Sequence, residues 1–481
     1  MRQVKKKKLR ELMKCKQYLY TLLSVLILLS ACTVGPDFVK PAAPPVKYYS
    51  TKNDPISTQP ISSTWWKSFH STTLDQIVQQ GIHDNYTLAS MRETLKQAKE
   101  ITNATRGQLL PQTSFSGDAG RQKYGVALFG PAEFTIPTFS YYTLGPSLSW
   151  AIDLFGKTQK TIEQNKAIET YQQEMLKADF LTLTGNIVTT TFEISAINDQ
   201  ITQLKNIIQL DQKTLILMQK AWKLGKATRL DIINLENQQT IDNSYLPLLY
   251  QQKNTAHSEL NILLGAFPAN WQPPALKLAY FTMPRTLPLT LPSQLIHDRP
   301  DILAAEALLH AASANIGIAT ANLYPQITLS ANSLQEALEP YKLFNAGSNA
   351  SSILGGITVP LFNGGTLQAE KRAAIHAYKA AYANYQQVVI QAFTQVGNIL
   401  KALQYDEQAI NAQAQAVHLA QQKWHLSQLS YQAGNASQFD VLIEQRAYLQ
   451  TKSAYIQSIA QKYQDITQLY LVLGGGTHSQ H

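Results

Sequence analysis

The chain says nearly the same thing twice, and this limits its fold more than any single motif does. Leu224-Gly225-Lys226-Ala227-Thr228-Arg229-Leu230-Asp231 returns 209 positions later as Ala433-Gly434-Asn435-Ala436-Ser437-Gln438-Phe439-Asp440. At the same offset Leu264-Gly265 returns as Leu473-Gly474. Leu110-Pro111-Gln112 is answered by Tyr324-Pro325-Gln326, and Leu154-Phe155-Gly156 by Leu361-Phe362-Asn363-Gly364. A unit of this length is not a solenoid repeat of roughly 20–50 residues. It predicts two similar halves related by pseudo-symmetry, each with strands and very long helices. Such a chain builds a wall or tube more readily than a catalytic pocket.

Each half holds a pair of strands. In Tyr142–Ile152 the apolar residues Leu144, Leu148, Trp150 and Ile152 share one parity, and in Ile353–Leu361 so do Ile353, Ile357, Val359 and Leu361. Alternation of period two marks a strand with two different faces. Partner strands begin at Pro111 and Pro325, across Gly-, Pro-, Ser- and Asn-rich connections that include 125–137 and 339–352. Four strands are too few to close a membrane barrel, which takes about eight or more. Either they pack as a small sheet, or several chains pool them.

Helices make up the larger part. A first helical region covers about residues 73–108, and about 158–222 contains no Pro and one glycine, Gly185. At about 1.5 Å per residue such a helix runs on the order of 100 Å. Ile201, Leu204, Ile208, Leu215, Met218 and Trp222 keep a 3–4 spacing with Asp211 as the one polar break. Leu246, Leu249, Ala256, Leu260 and Leu263 continue it, and Ile456, Ile459, Tyr463, Ile466, Tyr470 and Leu473 repeat it in the second half. This is a coiled-coil seam. The opposite faces are rich in Gln, Asn, Ser, Thr and Ala, and only 15% of the chain is charged. A solvated helix face and a water-filled interior lined by neutral polar groups both fit.

The N-terminus reads as an address. Residues 1–20 are crowded with Lys and Arg, an uncharged run from Tyr18 to Ala31 follows, and it ends Leu29-Ser30-Ala31-Cys32. A basic region, a short apolar region and small residues before the cut form a secretory signal, and small residues before a Cys resemble the bacterial lipobox, in which that Cys is acylated. Met13 would open a signal of more ordinary length than Met1. Residues 1–31 hold eight of the 41 Lys and Arg and one of the 32 Asp and Glu, so the remainder carries a net +2. The basic balance therefore belongs to the signal and is no nucleic-acid footprint. Cys15 falls within the signal, which leaves Cys32 alone and excludes an internal disulfide or a cysteine metal site.

No catalytic constellation stands out. There is no His-Glu-x-x-His, no Gly-x-Ser-x-Gly, no phosphate loop and no dinucleotide fingerprint. The expectation is a protein that is not an enzyme, with no cofactor and no metal. The segments are expected as a lipoprotein signal peptide (1–31), an acylated Pro-rich leader acting as a tether (32–64), a first repeat (65–265), a linker (266–290), a second repeat (291–474) and a short tail (475–481).

Arg299-Pro300-Asp301-Ile302 followed by Ala305-Glu306 resembles the signature of TolC-like outer-membrane factors. Tyr324-Pro325-Gln326-Ile327, the lipobox, Val34-Gly35-Pro36-Asp37-Phe38 and Trp65-Trp66 resemble their lipoprotein branch, the NodT-type efflux components. The resemblance spans essentially the whole mature chain. It implies a mixed fold, an all-α coiled-coil barrel plus a transmembrane β-barrel. The fold would be a homotrimer in which each protomer gives four strands to one twelve-stranded barrel and helices to a periplasmic tunnel. It implies an outer-membrane efflux channel, anchored to lipid through acylated Cys32 and driven by an inner-membrane pump through a periplasmic adaptor. The same channel class serves type I protein secretion, and a pore-less lipid-anchored scaffold is the rival of a different class.

The repeated segment then marks the helix tips. Gly225 and Gly434 are placed at helix–helix turns, where a left-handed residue suits a helix C-terminus. In the family, tip acids and their polar partners hold the closed state. Asp231 and Asp440 match by position, with Tyr431 as a tip tyrosine and Glu444 one position beyond Ile443, where a second Asp is usual. Ala436 replaces a basic residue, and Lys226 and Arg229 of the other tip are candidate substitutes. The competing reading of both acids is that they complement the helix dipole. Arg299, Pro300 and Asp301 are read as structural.

Overall fold

In the computed structural model, residues 33–42, 61–123, 137–284, 286–287 and 296–476 are described. The expected signal peptide and the expected acylation site, Cys32, lie outside them. The order is α1 (Thr72–Asp84), α2 (Tyr86–Gly107), β1 (Gln112–Gln122), β2 (Phe139–Ile152), α3 (Lys157–Lys223), α4 (Arg229–Leu263), α5 (Pro300–Ala321), β3 (Gln326–Ala337), β4 (Asn349–Thr358), α6 (Thr366–Gln432) and α7 (Gln438–Val472). The duplication is literal in length: α3 and α6 each have 67 residues, and α4 and α7 each have 35.

The chain divides into two compact units. The first comprises the leader up to Pro41, residues 95–172 and residues 305–385. Its four strands form one antiparallel sheet in the order β1-β2-β3-β4. The central pairing joins the two halves, with Leu148 opposite Ala331 and Ile152 opposite Ile327, and β1 and β4 are its edges. Ile353 and Ile357 of β4 and Phe115 of β1 are exposed. β4 stops at Thr358, short of the expected Leu361, because Pro360 has no N–H to give a ladder. Leu361 and Phe362 beyond it are 93% and 92% exposed.

The described part of the leader packs against the first unit. Val34 N–H donates to Phe155 C=O (3.1 Å), and Gly35 lies so close to Gly317 that a Cβ there would stand 2.5 Å from the Gly317 Cα. Phe38 stacks on His310 at 4.3 Å. The buried Lys160 Nζ donates to Pro36 C=O (3.1 Å) and Glu163 (2.9 Å).

The second unit, residues 42–94, 173–304 and 386–481, is helical. Trp65 and Trp66 plug its core: Trp65 stacks on Tyr470 at 5.1 Å, and Trp66 Nε1 donates to Asp75 at 2.9 Å. Phe69, Phe192, Phe281 and Tyr463 complete the aromatic cluster. The Tyr463 hydroxyl donates to Phe281 C=O at 2.8 Å, and burial pushes its pKa up to about 12. The first helical region consists of the two helices α1 and α2. They break at Asn85, whose Oδ1 accepts from Leu88 N–H while its Nδ2 donates to Leu263 C=O, both at 2.9 Å. The buried stripe of α3 also differs from the expected seam. It runs through Ile201, Ile207, Leu210, Asp211 and Thr214, and Trp222 is 45% exposed.

Arg299 is structural, as its sequence context indicated. Its guanidinium donates to Val472 C=O (2.9 Å), Gln395 (2.8 Å) and Asp301 (2.6 Å), tying the start of α5 to α6 and to the end of α7.

At Gly185 α3 packs tightly against Leu471 of α7, since a Cβ there would stand 2.5 Å from Leu471 Cδ1. Gly185→Val overfills that contact and is expected to lower stability by about 1–3 kcal/mol. A fall in the unfolding midpoint of the detergent-solubilised protein, with helix content unchanged in the folded state, checks this.

Candidate functional site

The two repeated turns are built alike. At the end of α3, Gly225 takes φ 68°, its N–H donates to Trp222 C=O (2.9 Å), and Lys226 N–H reaches back to Ala221 C=O (2.8 Å). At the end of α6, Gly434 takes φ 77°, with Gly434 N–H to Tyr431 C=O (3.0 Å) and Asn435 N–H to Ser430 C=O (2.9 Å). Both are Schellman closures, which satisfy the last carbonyls of a helix and need a left-handed residue.

The next helix starts with a capping box in each case. Asp231 Oδ2 accepts from Thr228 N–H (2.8 Å) and Thr228 Oγ1 (2.7 Å), and Thr228 Oγ1 accepts from Asp231 N–H (3.2 Å). Asp440 and Ser437 repeat these bonds at 2.8, 2.7 and 3.2 Å. The helix-start role of both acids is therefore real. These hydroxyl and backbone donors hold both carboxyls below the ordinary aspartate value. All the capping bonds fall on Oδ2. Among the described residues, no hydrogen bond occupies Oδ1 of either acid.

The other expected site residues differ from one another. Tyr431 is 46% exposed beside the second turn. Glu444 is engaged within its own hairpin: Lys423 of α6 pairs with it at 2.9 Å, and its side chain is 18% exposed. Ile443, the departure from the second tip acid that the resemblance implies, is an exposed apolar residue.

Two polar clusters farther along these helices were not legible in the sequence. Arg446 of α7 pairs with Asp211 of α3 and Asp242 of α4, and all three are largely buried. Burial, with Asp242 alongside, raises the Asp211 carboxyl against the pull of Arg446. The polar break in the α3 stripe was the one available signal. It gave the position of Asp211 but not its partner. In the second cluster Asp406 of α6 lies beside Asp465 of α7, with Gln461 donating to Asp465 at 3.2 Å and Lys462 paired with Glu407. Burial and the Asp465 carboxyl push Asp406 up to about 7, with Lys462 opposing.

Among the described residues no group of His, Cys, Asp and Glu could hold a metal ion. The geometry is that of paired helical hairpins with charged tips, joined by buried polar ties.

A profile described as outer membrane efflux protein matches residues 77–266 and 291–475, the two halves in turn. The Salmonella typhimurium protein named "Probable outer membrane lipoprotein SilC" is 23% identical over 464 residues, covering 96% of this chain and 99% of that one. The antibiotic efflux pump outer membrane protein ArpC of Pseudomonas putida is 27% identical over 465 residues, covering 94% of each. The Campylobacter jejuni CmeC outer membrane channel superposes with a TM-score of 0.85 at 19% identity, over 92% of this chain and 95% of that one.

Removing Arg446 leaves two carboxylates facing each other in a buried site. Arg446→Met is expected to cost about 3–5 kcal/mol, and adding Asp211→Leu and Asp242→Leu should recover most of it. Chemical denaturation of the three forms tests this, and equal losses in the single and triple variants would contradict it.

Asp406 holds its proton more tightly folded than unfolded, so the folded protein binds more protons between the ordinary aspartate value and about 7. Its contribution is complete below that window and is lost as pH rises through it. Asp406→Asn should therefore raise the unfolding temperature at pH 8 and leave it little changed near pH 4.

Proposed function

The chain belongs to the outer membrane efflux protein family, and we propose that within it this protein is the outer-membrane channel of a tripartite efflux system. Three copies pool twelve strands in one barrel, and their helical hairpins line a periplasmic tunnel. An inner-membrane pump drives export, and a periplasmic adaptor docks on the hairpin tips. Acylated Cys32 adds a lipid anchor. The chain makes and breaks no bond, and export through it is gated diffusion of small molecules.

The single observation that carries the reading is the unclosed four-stranded sheet in a chain whose long helices are duplicated residue for residue in length. A sheet whose two edge strands lack partners cannot sit in lipid alone, because each unpaired backbone group there costs several kcal/mol. Pooling strands between copies removes the edges. A pore-less scaffold gives no use for such a sheet.

The gate is assigned to Asp231, Asp440 and Tyr431 at the tips. The capping box uses one oxygen of each acid, so the other is available to a neighbouring protomer. Glu444 contributes through Lys423, as a brace within its hairpin.

Planar-bilayer conductance of the purified acylated protein, with its mass measured in the same detergent, tests both levels. A trimer with low resting conductance is expected. Asp231→Ala with Asp440→Ala should raise that conductance and admit large antibiotics to cells at matched surface levels. Thr228→Ala with Ser437→Ala removes the capping hydroxyls but keeps the acids, and should leave the channel shut. If the two pairs open it equally, the acids act as caps alone.

A further inference from the structure

The duplication supplies an internal control for the tips. Lys220, Lys223, Lys226 and Arg229 follow one another at every third position through the first turn, all exposed. At the equivalent positions of the second turn stand Leu429, Gln432, Asn435 and Gln438, while Asp231 is matched by Asp440. The two turns share their Schellman closure, their capping box and their glycine, so the backbone is common while the charge differs. The first tip carries four cations against one acid. The second carries one acid.

Helix stability does not account for the set. Lys220 and Lys223 lie in the last turn of α3, where a cation suits the dipole. Arg229 is the first residue of α4, at the positive end of its helix, where a cation is unfavourable. Lys226 lies in the turn itself. Among the described residues none of the four is held in an ion pair. Each tip also exposes apolar side chains. Leu224, Leu230 and Trp222 are 73%, 63% and 45% exposed, and at the other tip Leu426 and Tyr431 are 64% and 46% exposed. A shared apolar footing with unequal charge fits one class of protein partner met twice, and it fits a lipid headgroup layer less well.

We propose that the first tip, through Lys223, Lys226 and Arg229, is an electrostatic docking surface for an acidic segment of the periplasmic adaptor, and that the second tip engages its adaptor without that charge. This rests on the efflux-channel reading and adds the chemistry of its partner. The two tips of each protomer are then unequal sites. The first sets the rate and salt dependence of assembly, as complementary charge does at interfaces. The second contributes apolar contact.

The test borrows the second tip's own residues. Lys223→Gln, Lys226→Asn and Arg229→Gln reproduce Gln432, Asn435 and Gln438 on a turn of the same geometry, so the variant folds. The full acylated protein in lipid nanodiscs is titrated with the purified adaptor from the same bacterium at about 50 and about 300 mM salt. The wild type should bind more weakly at high salt. The triple variant should lose about tenfold in affinity at low salt and most of that salt dependence. Lys226→Glu should weaken binding further, and an acid-to-lysine change in the adaptor should restore it.

Unchanged affinity and salt slope in the triple variant would overturn the inference while leaving the channel reading intact. So would a triple variant that opens the resting channel with adaptor binding unaltered, since the cations would then belong to the gate. Loss of binding to phosphatidylglycerol vesicles with the adaptor unaffected would assign the tip to lipid and overturn it too. A wild type that neither conducts nor binds the adaptor would remove the channel reading, and this inference with it.

Discussion

Strands β1 and β4 each present a ladder of backbone N–H and C=O groups that the sheet of this chain does not pair. In water such edges invite aggregation. In hydrocarbon they are far costlier, because nothing else can accept or donate. The apolar side chains of Phe115, Ile353 and Ile357 are exposed beside them, so the sheet is unsuited to water as well. One chain cannot resolve both problems. Copies set edge to edge satisfy the backbone and give the apolar side chains to lipid, and a barrel is the closed form of that solution. The order β1-β2-β3-β4 makes it workable, because the two halves meet at β2 and β3 and leave one edge from each for a neighbour.

Duplication gives the helices their matched lengths, but the polar ties depart from it. Asp211 and Asp242 come from the first half and Arg446 from the second, and their equivalents 209 positions away are Ala420, Thr451 and Asn237. No second copy of the triad exists, so it cannot be a relic of the ancestral repeat. It fixes α7 to α3 and α4 where an all-apolar seam would allow sliding or rotation. Buried polar groups of this kind serve registry in helical assemblies. Asp406 of α6 and Asp465 of α7 set a second pair of polar groups between helices, and burial beside Asp465 raises the Asp406 carboxyl to about 7.

Features set by local physics were legible in the sequence. The limits of α3, the alternation along β2, the left-handed glycines and the acids at the helix starts depend on neighbours within a few residues, and the structure bears them out, whereas Val359 and Leu361 of the expected second alternation lie beyond the end of β4. What depended on distant partners was not legible. Arg446 lies 235 positions from Asp211 and 204 from Asp242, and nothing near it announces either. The same limit hid the docking of Val34, Gly35, Pro36 and Phe38, because Phe155, Gly317, Lys160 and His310 are remote in sequence. Asn85 was missed for a different reason. A single asparagine that caps one helix while bonding another has no periodicity to disturb. The stripe of α3 was misplaced because an apolar residue such as Trp222 reads the same whether it faces its own chain or another.

The tip acids combine an observed capping role with the proposed gate role. A carboxylate has two oxygens, and the capping box takes Oδ2 in both Asp231 and Asp440. The capping donors also lower their pKa, so the acids stay charged well into the acid range. In a trimer that places six permanent negative charges at one narrow end, and their repulsion would splay the hairpins unless donors or cations met the free oxygens. A closed tip therefore requires neighbouring groups aimed at Oδ1, or ions held between the rings. Under the proposed gate, drawing those partners away would open the tip. A docking partner that competes for charge at the first tip acts on the same balance, which makes the capping chemistry, the gate and the docking surface parts of one electrostatic problem.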